Sequence, residues 1–191
     1  MITAEAVYKN GNKIVENILL PDLYQHLNWQ YPRFFKMDNL SRLGFAATEL
    51  LLAGWDGTAY DPAAVAVVLS NANSSLDTDY KYTATTRDIP SPSVFVYTLP
   101  NIVIGEICIR HRFKGENAFF LSSVFDADLL FRYVSYLLAQ DIARACITGW
   151  AEWLGDSFKA ALFLIEKKPS ATGALAFSAE NMDRIFKNPT H

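Results

Sequence analysis

The side chains that could act as nucleophiles or bases are isolated from one another in this sequence. Ser122 and Ser123 follow an apolar run, but their flanks lack the glycines of a nucleophile elbow, and no acid and histidine follow in a recognisable order. The three histidines, His26, His111 and His191, are far apart and do not fall at metal-ligand spacing with the cysteines. We therefore expect no metal site, and a serine hydrolase remains only an alternative.

The cysteines and glycines indicate no further chemistry. Cys108 and Cys146 lie within apolar segments and form no paired spacing, so we interpret them as buried, reduced thiols. Gly54 and Gly57 form a lone turn without the Lys-Ser/Thr that a phosphate-binding loop requires. We expect neither a nucleotide nor any other cofactor.

Composition limits the class of protein. The chain has 191 residues, which suits one domain, and 51% of them are hydrophobic, with a mean hydropathy of +0.08. This content is high, so we expect some apolar surface to face a partner. The net charge of −3 argues against nucleic-acid binding. Residues 1–5 lack a signal-peptide pattern, and no apolar run approaches the roughly 20 residues that span a bilayer, so we expect a cytoplasmic protein without membrane contact.

The N-terminal region predicts a hairpin and then helices. Residues 2–18 alternate around Asn10-Gly11, whose residue types favour a tight turn. Residues 21–31 suit a short helix or loop. Asp38 is a plausible N-cap for a helix with one apolar face. The predicted buried positions of that helix are Leu40, Leu43, Ala47 and Leu50 or Leu51.

The rest of the chain alternates predicted strands and helices. Apolar runs predict strands at residues 64–69, 118–123, 145–153 and 158–166, and one further strand is possible at 173–177. Predicted helices begin at Ser74 or Ser75, extend over 126–143, and lie around 182–186. This alternation predicts an α/β fold.

Residues 91–125 have the most specific pattern. Apolar residues at helical spacing predict one helix that Lys114-Gly115 ends, followed by the strand at 118–123. The helical positions are Val96, Leu99, Val103, Ile107, Ile109 and Phe113. This segment resembles the β-ketoacyl synthases of the thiolase fold in the order of its motifs. The order is an SP pair, a PN pair, a helix, a basic-aromatic-Lys-Gly-x-Asn segment, an apolar strand and serine.

The resemblance covers residues 31–168 and implies a fold. It implies one thiolase-like half, with three α-β-α layers around a mixed, mostly parallel central sheet. Residues 1–191 then form a single domain, in which residues 1–30 are a divergent hairpin region and residues 169–191 a C-terminal extension. The run ACITGWAEW resembles the Gly-Gly-Ala-Glu strand of the family, with Trp150 in place of the second glycine.

The same resemblance implies that the chemistry is missing. When Gly115-Glu116-Asn117 is aligned with the Gly-Pro-Asn of the family, Val124 falls at the position of the nucleophilic cysteine. Valine offers neither a lone pair nor a removable proton. The family's two catalytic histidines, which come from the second half of the fold, also have no counterpart. We therefore expect a pseudoenzyme that is not catalytic by itself.

Within this family, subunits without the cysteine act as chain-length factors beside an active ketosynthase. The resemblance thus implies a partner, a full-length β-ketoacyl-ACP synthase, and an acyl carrier protein, in fatty-acid, polyketide, aryl-polyene or flexirubin-type pigment biosynthesis. Candidate pocket residues are Asn73, Asp77, Val124 and Phe125, and candidate carrier-protein contacts are Arg110, Arg112 and Lys114. His111, inside that basic segment, is interpreted as a cation favoured by a helix C-terminus.

The strand at 118–123 also implies how the chain associates. In ketosynthases this strand pairs with its counterpart across a two-fold axis, so Phe119, Phe120 and Leu121 predict a heterodimer with a ketosynthase, and a homodimer when the chain is alone. The alternatives are a central strand within one chain's sheet, a repurposed half-domain that acts as a homodimeric interaction module, and an acyl hydrolase that uses Ser122 or Ser123.

Overall fold

A computed structural model describes residues 1–17, 19–168 and 174–190. The strands are β1 (Ile2–Thr3), β2 (Ala6–Lys9), β3 (Asn12–Glu16), β4 (Val65–Asn71), β5 (Asn117–Leu121), β6 (Ala145–Leu154) and β7 (Ser157–Glu166). The helices are α1 (Leu20–His26), α2 (Asn39–Leu52), α3 (Leu76–Thr85), α4 (Pro92–Phe95), α5 (Ile102–His111), α6 (Ala127–Ala139) and α7 (Ala179–Lys187). None of the helices in these ranges has the length and hydrophobicity needed to cross a lipid bilayer.

The strands form one mixed sheet in the order β3-β2-β1-β7-β6-β4-β5. Strand β4 pairs in parallel with β5 and β6, and the other four pairings in the described ranges are antiparallel. The predicted mixed α/β fold is confirmed, but the sheet is not mostly parallel. The reason is that β1, β2 and β3 extend it with short, locally connected strands.

Helices cover the sheet on both faces, which gives the three predicted layers. Helices α2 and α5 pack on one face against Val67, Leu69 and Ile147. Helices α6 and α7 pack on the other against Val68 and Cys146. Every residue of β4 is buried, as its continuous apolar run predicts.

Local signals in the N-terminal half are confirmed. Asn10 and Gly11 have φ values of 50° and 79° and turn β2 into β3, as a tight hairpin requires. Residue 18, the last of the predicted hairpin, lies outside the described residues. The Asp38 carboxylate accepts a hydrogen bond from Ser41 N at 3.0 Å and begins α2. The predicted inward positions of α2 are buried: Leu40, Leu43, Ala47 and Leu50.

The single helix predicted within residues 91–115 is wrong. The chain forms α4, an irregular connection and then α5, because Pro100 disfavours helical geometry at Leu99 and cannot donate a backbone hydrogen bond. Consequently Val96, Leu99 and Ile109 are more than half exposed. Their exposure places apolar surface where the sequence predicts a buried stripe.

The end of α5 also differs from the prediction. Arg112, in a left-handed conformation, ends the helix. Gly115 serves a different purpose, since a Cβ there would lie 2.4 Å from the Val65 carbonyl oxygen. This glycine therefore lets the chain approach β4 closely.

The ends of two elements, one helix cap and one predicted strand also need correction. Strand β5 ends at Leu121 and α6 ends at Ala139, both earlier than predicted. Ser75 precedes α3, but its hydroxyl donates to the Thr98 carbonyl oxygen and makes no capping bond. Residues 174–177 form no strand, and residue 173 lies outside the described residues.

Both cysteines are free thiols. Burial raises the pKa of Cys108 to about 11 and raises that of Cys146 as well. Cys146 is buried, as predicted, whereas Cys108 is only half-buried.

Candidate functional site

The connection from β5 to α6, residues 122–125, forms a sharp turn that we call the elbow. Ser122 N donates to the Asn71 carbonyl oxygen at 3.0 Å, so the elbow leaves the sheet beside the end of β4. The Asp126 carboxylate then accepts from Leu129 N at 2.9 Å and begins α6. Between these anchors, Val124 has 68% of its surface exposed. The residue that the resemblance aligns with a nucleophile thus lies at an open turn.

A groove of about 750 Å³ lies in front of the elbow. It is lined by Ser122, Ser123, Val124, Phe125, Asp126, Ala127, Asp128, Ala179, Glu180 and Asp183. Four of these side chains are carboxylates, and no histidine, lysine or arginine is among the described residues that line the groove. The described lining therefore offers neither an imidazole to act as the base for a serine nor a cation that would stabilise a thiolate.

An aromatic stack closes one side of the elbow. The rings of Phe125 and Phe186 are stacked with their centroids 4.2 Å apart and an interplanar angle of 18°. The edge of Trp150 meets Phe186 at 6.2 Å. The Lys159 ammonium lies 3.7 Å from the centroid of the Phe186 ring and donates to the Phe186 carbonyl oxygen at 2.8 Å. Helix α7 is thus part of the site, although its sequence predicted only a terminal helix.

The structure does not bring all four predicted pocket residues together. Val124 and Phe125 line the elbow groove, whereas Asn73 and Asp77 lie outside its lining. Asn73 N donates to the Glu152 carboxylate at 3.2 Å. The buried Asp77 carboxylate accepts from the side chains of Asn39 and Lys81 and from Gly155 N, so it ties together three parts of the chain.

The basic segment of α5 is only partly available for a partner. Arg110 forms two hydrogen bonds of 3.0 Å with the Glu49 carboxylate. The His111 Nε2 atom lies 2.9 Å from Glu49 Oε1, although the contact is poorly aligned for a hydrogen bond. Arg112 and Lys114 are exposed. Of the three predicted carrier-protein contacts, Arg110 is therefore committed to Glu49.

Glu49 is an internal anion that the sequence did not indicate. Burial alone would raise the pKa of its carboxyl group, but His111 and Arg110 outweigh that effect and lower it to about 2. His111 is the last residue of α5, so the predicted position at a helix C-terminus is confirmed. Its contact with Glu49 depends on the packing of α5 on α2, which periodicity alone does not specify.

Comparisons with known proteins identify the fold. No family model and no curated protein matches the sequence. Among solved structures, the ishigamide ketosynthase/chain length factor is 24% identical with a TM-score of 0.64, covering 78% of this chain and 49% of that chain. The chain has a ketosynthase-like, thiolase-type fold. The predicted resemblance is thereby confirmed at the level of the fold.

Two further structures have the same ketosynthase-like fold. A type II polyketide ketosynthase in complex with its acyl-carrier protein and bound to the hexaketide is 18% identical with a TM-score of 0.54, covering 72% of this chain and 46% of that chain. A complex of the ketosynthase ApeO with its chain length factor ApeC from Xenorhabdus doucetiae is 14% identical with a TM-score of 0.56, covering 89% of this chain and 81% of the matched chain. This chain spans about half the length of the first two.

A cysteine placed at the elbow of this ketosynthase-like fold should remain unreactive. We expect Val124→Cys to give a thiol with a pKa at or above about 8.5, since the groove supplies four carboxylates and no described cation. Alkylation by iodoacetamide as a function of pH measures this value. Leu175→Cys is the control, because Leu175 has a similar exposure of 60%. Rapid acylation of Val124→Cys by an acyl carrier protein thioester would contradict this expectation.

Proposed function

We propose that this chain is a non-catalytic subunit of the chain-length-factor type, which pairs with an active β-ketoacyl-ACP synthase in fatty-acid, polyketide or aryl-polyene biosynthesis. The observation behind the proposal is the elbow, where an exposed valine occupies the aligned nucleophile position. The described residues that line the groove offer no histidine to complete a catalytic site. These two observations support a subunit that has the shape of a ketosynthase half and lacks its reactive groups.

Strand β5 supports the proposal of a partner because it lies at the edge of the sheet. Among the described residues β5 pairs on one side alone, with β4, so it lies at an edge of the sheet and not at its centre, which was one alternative. The Glu116 carbonyl and Ser122 N form hydrogen bonds with β4. Because backbone groups of successive residues in a strand point to alternate sides, those of Asn117, Phe119 and Leu121 point away from β4, toward the free edge. This row of groups can pair with a strand of another chain.

Several large apolar side chains that are close to β5 in the sequence are exposed. Seven large ones that are more than half exposed lie within residues 89–124: Ile89, Phe95, Val96, Leu99, Ile109, Leu121 and Val124. Exposed apolar side chains are typical of a protein interface where they form a contiguous patch. Their exposure here supports the expectation that the high hydrophobic content serves association.

The three residues predicted for the dimer strand have different roles. Phe119 packs with the α5 side of the sheet, and Phe120 packs on the α6 side, where its ring meets Tyr133 at 5.1 Å. Leu121 is 58% exposed. A substitution such as Phe120→Asp would therefore damage the chain's own core, and Leu121 is the residue that tests the interface.

The structural neighbours suggest which partners to test. One neighbour is a ketosynthase in complex with its chain length factor. The present chain covers 81% of the matched chain of that complex. Another is a ketosynthase in complex with its acyl-carrier protein. For this chain we propose a ketosynthase at the β5 edge and an acidic carrier protein near the exposed Arg112 and Lys114.

Co-expression with a ketosynthase tests the proposal. We expect the tagged chain to co-purify with the ketosynthase, and the pair to condense malonyl and acyl thioesters on a carrier protein. We expect the isolated chain to catalyse no condensation, because the thiolate and the histidines are missing. Condensation by the isolated chain, or failure to bind any ketosynthase encoded beside it, would overturn the proposal.

A homodimeric interaction module is the second candidate, since the same free edge could pair with its own copy. Sedimentation at micromolar concentration separates the candidates when it is repeated with the ketosynthase present. A homodimer that persists and excludes the ketosynthase favours the module. A homodimer that gives way to a mixed complex favours the chain-length-factor role.

A further inference from the structure

The ring of Phe186 fills a slot beside the elbow, which we call the aromatic slot. Its walls are the ring of Phe125, stacked at 4.2 Å, the edge of Trp150 at 6.2 Å, and the ammonium of Lys159, 3.7 Å from the ring centroid on another side. Phe163 extends the same wall, since its ring stacks with Phe125 at 6.3 Å. The slot therefore accepts a flat π system with one cation against it.

Lys159 makes two different contacts with the same residue. Its ammonium lies against the Phe186 ring and also donates to the Phe186 carbonyl oxygen at 2.8 Å. Within the described ranges it forms no ion pair, and burial lowers its pKa. Glu152 lies directly opposite it across β6 and β7; its Oε2 atom accepts from Ala72 N and Asn73 N, whereas its buried Oε1 atom has no hydrogen-bond partner among the described residues. The cation is thus available to an oxygen atom that enters the slot.

Helix α7 does not depend on the Phe186 ring alone. Met182 is 2% exposed and packs in the cluster that contains Leu130 and Val134. The Ser178 hydroxyl accepts from Asn181 N at 3.1 Å and begins the helix. The ring can therefore leave the slot while the first two turns of α7 stay in place.

We propose that Phe186 occupies, in place of a ligand, a binding slot for a planar aromatic or conjugated acyl group, whose carbonyl or carboxylate oxygen Lys159 binds. The elbow groove adjoins the slot, because Phe125 lines both. This inference rests on the proposed function, because a subunit that shapes an acyl-chain site needs a place for the chain. Movement of Phe186 then controls access to the slot.

Removal of the ring tests the slot in the full chain. The probe is trans-parinaric acid, a conjugated tetraene carboxylic acid whose fluorescence increases in apolar sites. We expect Phe186→Ala to bind it about tenfold more tightly than the wild-type chain, because the competing ring is gone. Phe95→Ala is the matched control, since this half-exposed phenylalanine lies against Tyr82, away from the slot. It should bind like the wild type.

Two further measurements address the chemistry of the ligand. Adding Lys159→Met to Phe186→Ala should weaken binding of the probe about tenfold, since the cation contacts both the π face and the oxygen. Stearic acid, which has the same chain length and no double bond, should compete poorly. Phe186→Leu, which keeps an apolar anchor, provides a second variant if Phe186→Ala does not fold, and it should bind the probe more tightly than wild type.

Three results would overturn the slot: no gain in affinity over Phe95→Ala, equal competition by stearic acid, or no effect of Lys159→Met. These results are distinct from failure of the proposed function. The binding assay uses the isolated chain, whereas the proposed function fails only when the ketosynthase does not associate. A chain that binds its ketosynthase but not the probe refutes the slot alone.

Discussion

Leu121→Asp is expected to release the chain from the ketosynthase that we propose as its partner, while leaving its own fold intact. Leu121 ends β5, is 58% exposed and presents its backbone to the free edge of the sheet. In an interface formed at this edge, the new carboxylate would be buried without a partner. We expect a cost of about 3 kcal/mol or more, which is roughly a hundredfold in Kd.

Leu19→Asp is the matched control for this variant. Leu19 is 66% exposed and precedes α1, which packs beside β1 and β2 at the opposite end of the sheet from β5. The Leu19→Asp variant should bind the ketosynthase with the affinity of the wild-type chain. Sedimentation and co-purification measure association, and thermal unfolding of the isolated chains measures the fold. Equal affinities for the two aspartate variants would show that β5 is not the interface.

Gly149→Ala should prevent folding. Gly149 has φ of 144°, and a Cβ at this position would lie 2.1 Å from the Ala161 carbonyl oxygen on the neighbouring strand. Neither backbone can move away easily, because Gly149 pairs with Leu162 in the middle of the β6–β7 ladder. We expect a loss of more than about 4 kcal/mol in the free energy of unfolding, enough to leave little folded protein.

Gly105→Ala provides the opposite expectation from the same chemical change. A Cβ at Gly105, within α5, meets nothing within 4 Å. Alanine there should raise the free energy of unfolding by about 0.5–1 kcal/mol, because it lowers the entropy of the unfolded chain and favours helix. Urea titrations of both variants measure these values. A folded Gly149→Ala protein of wild-type stability would contradict the geometry of the β6–β7 ladder.

Elements with strong local signals were predictable from the sequence. Asn10-Gly11 predicted the hairpin, Asp38 predicted the start of α2, and the run at 64–69 predicted β4, because turn geometry, capping and burial on two faces each depend on adjacent residues. The order of motifs in residues 91–125 then indicated the fold that the comparisons confirm.

The site itself was less predictable. The contacts of Phe186 with Phe125 and of Arg110 with Glu49 join residues 61 positions apart, and such pairs depend on how helices are placed over the sheet. The periodicity of residues 96–113 predicted a buried stripe because apolar spacing does not distinguish the protein's interior from a partner-facing surface. Val96, Leu99 and Ile109 are the residues for which this ambiguity mattered.

The pairing of β1 with β7 also affects how the chain folds during synthesis. Ile2 pairs with Val7 of β2 and with Ala160 of β7, so the first strand gains its second neighbour in the sheet only after β7 has been translated. The β2–β3 hairpin, in contrast, is closed by a two-residue turn and can form as soon as it emerges from the ribosome. We infer that the hairpin forms early, holds β1 beside it and adds to β7 as a preassembled unit. Until that step, β7 and β1 are both open edges, in addition to the β3 and β5 edges that remain in the complete sheet, so the nascent chain has more edge exposed to aggregation than the folded one.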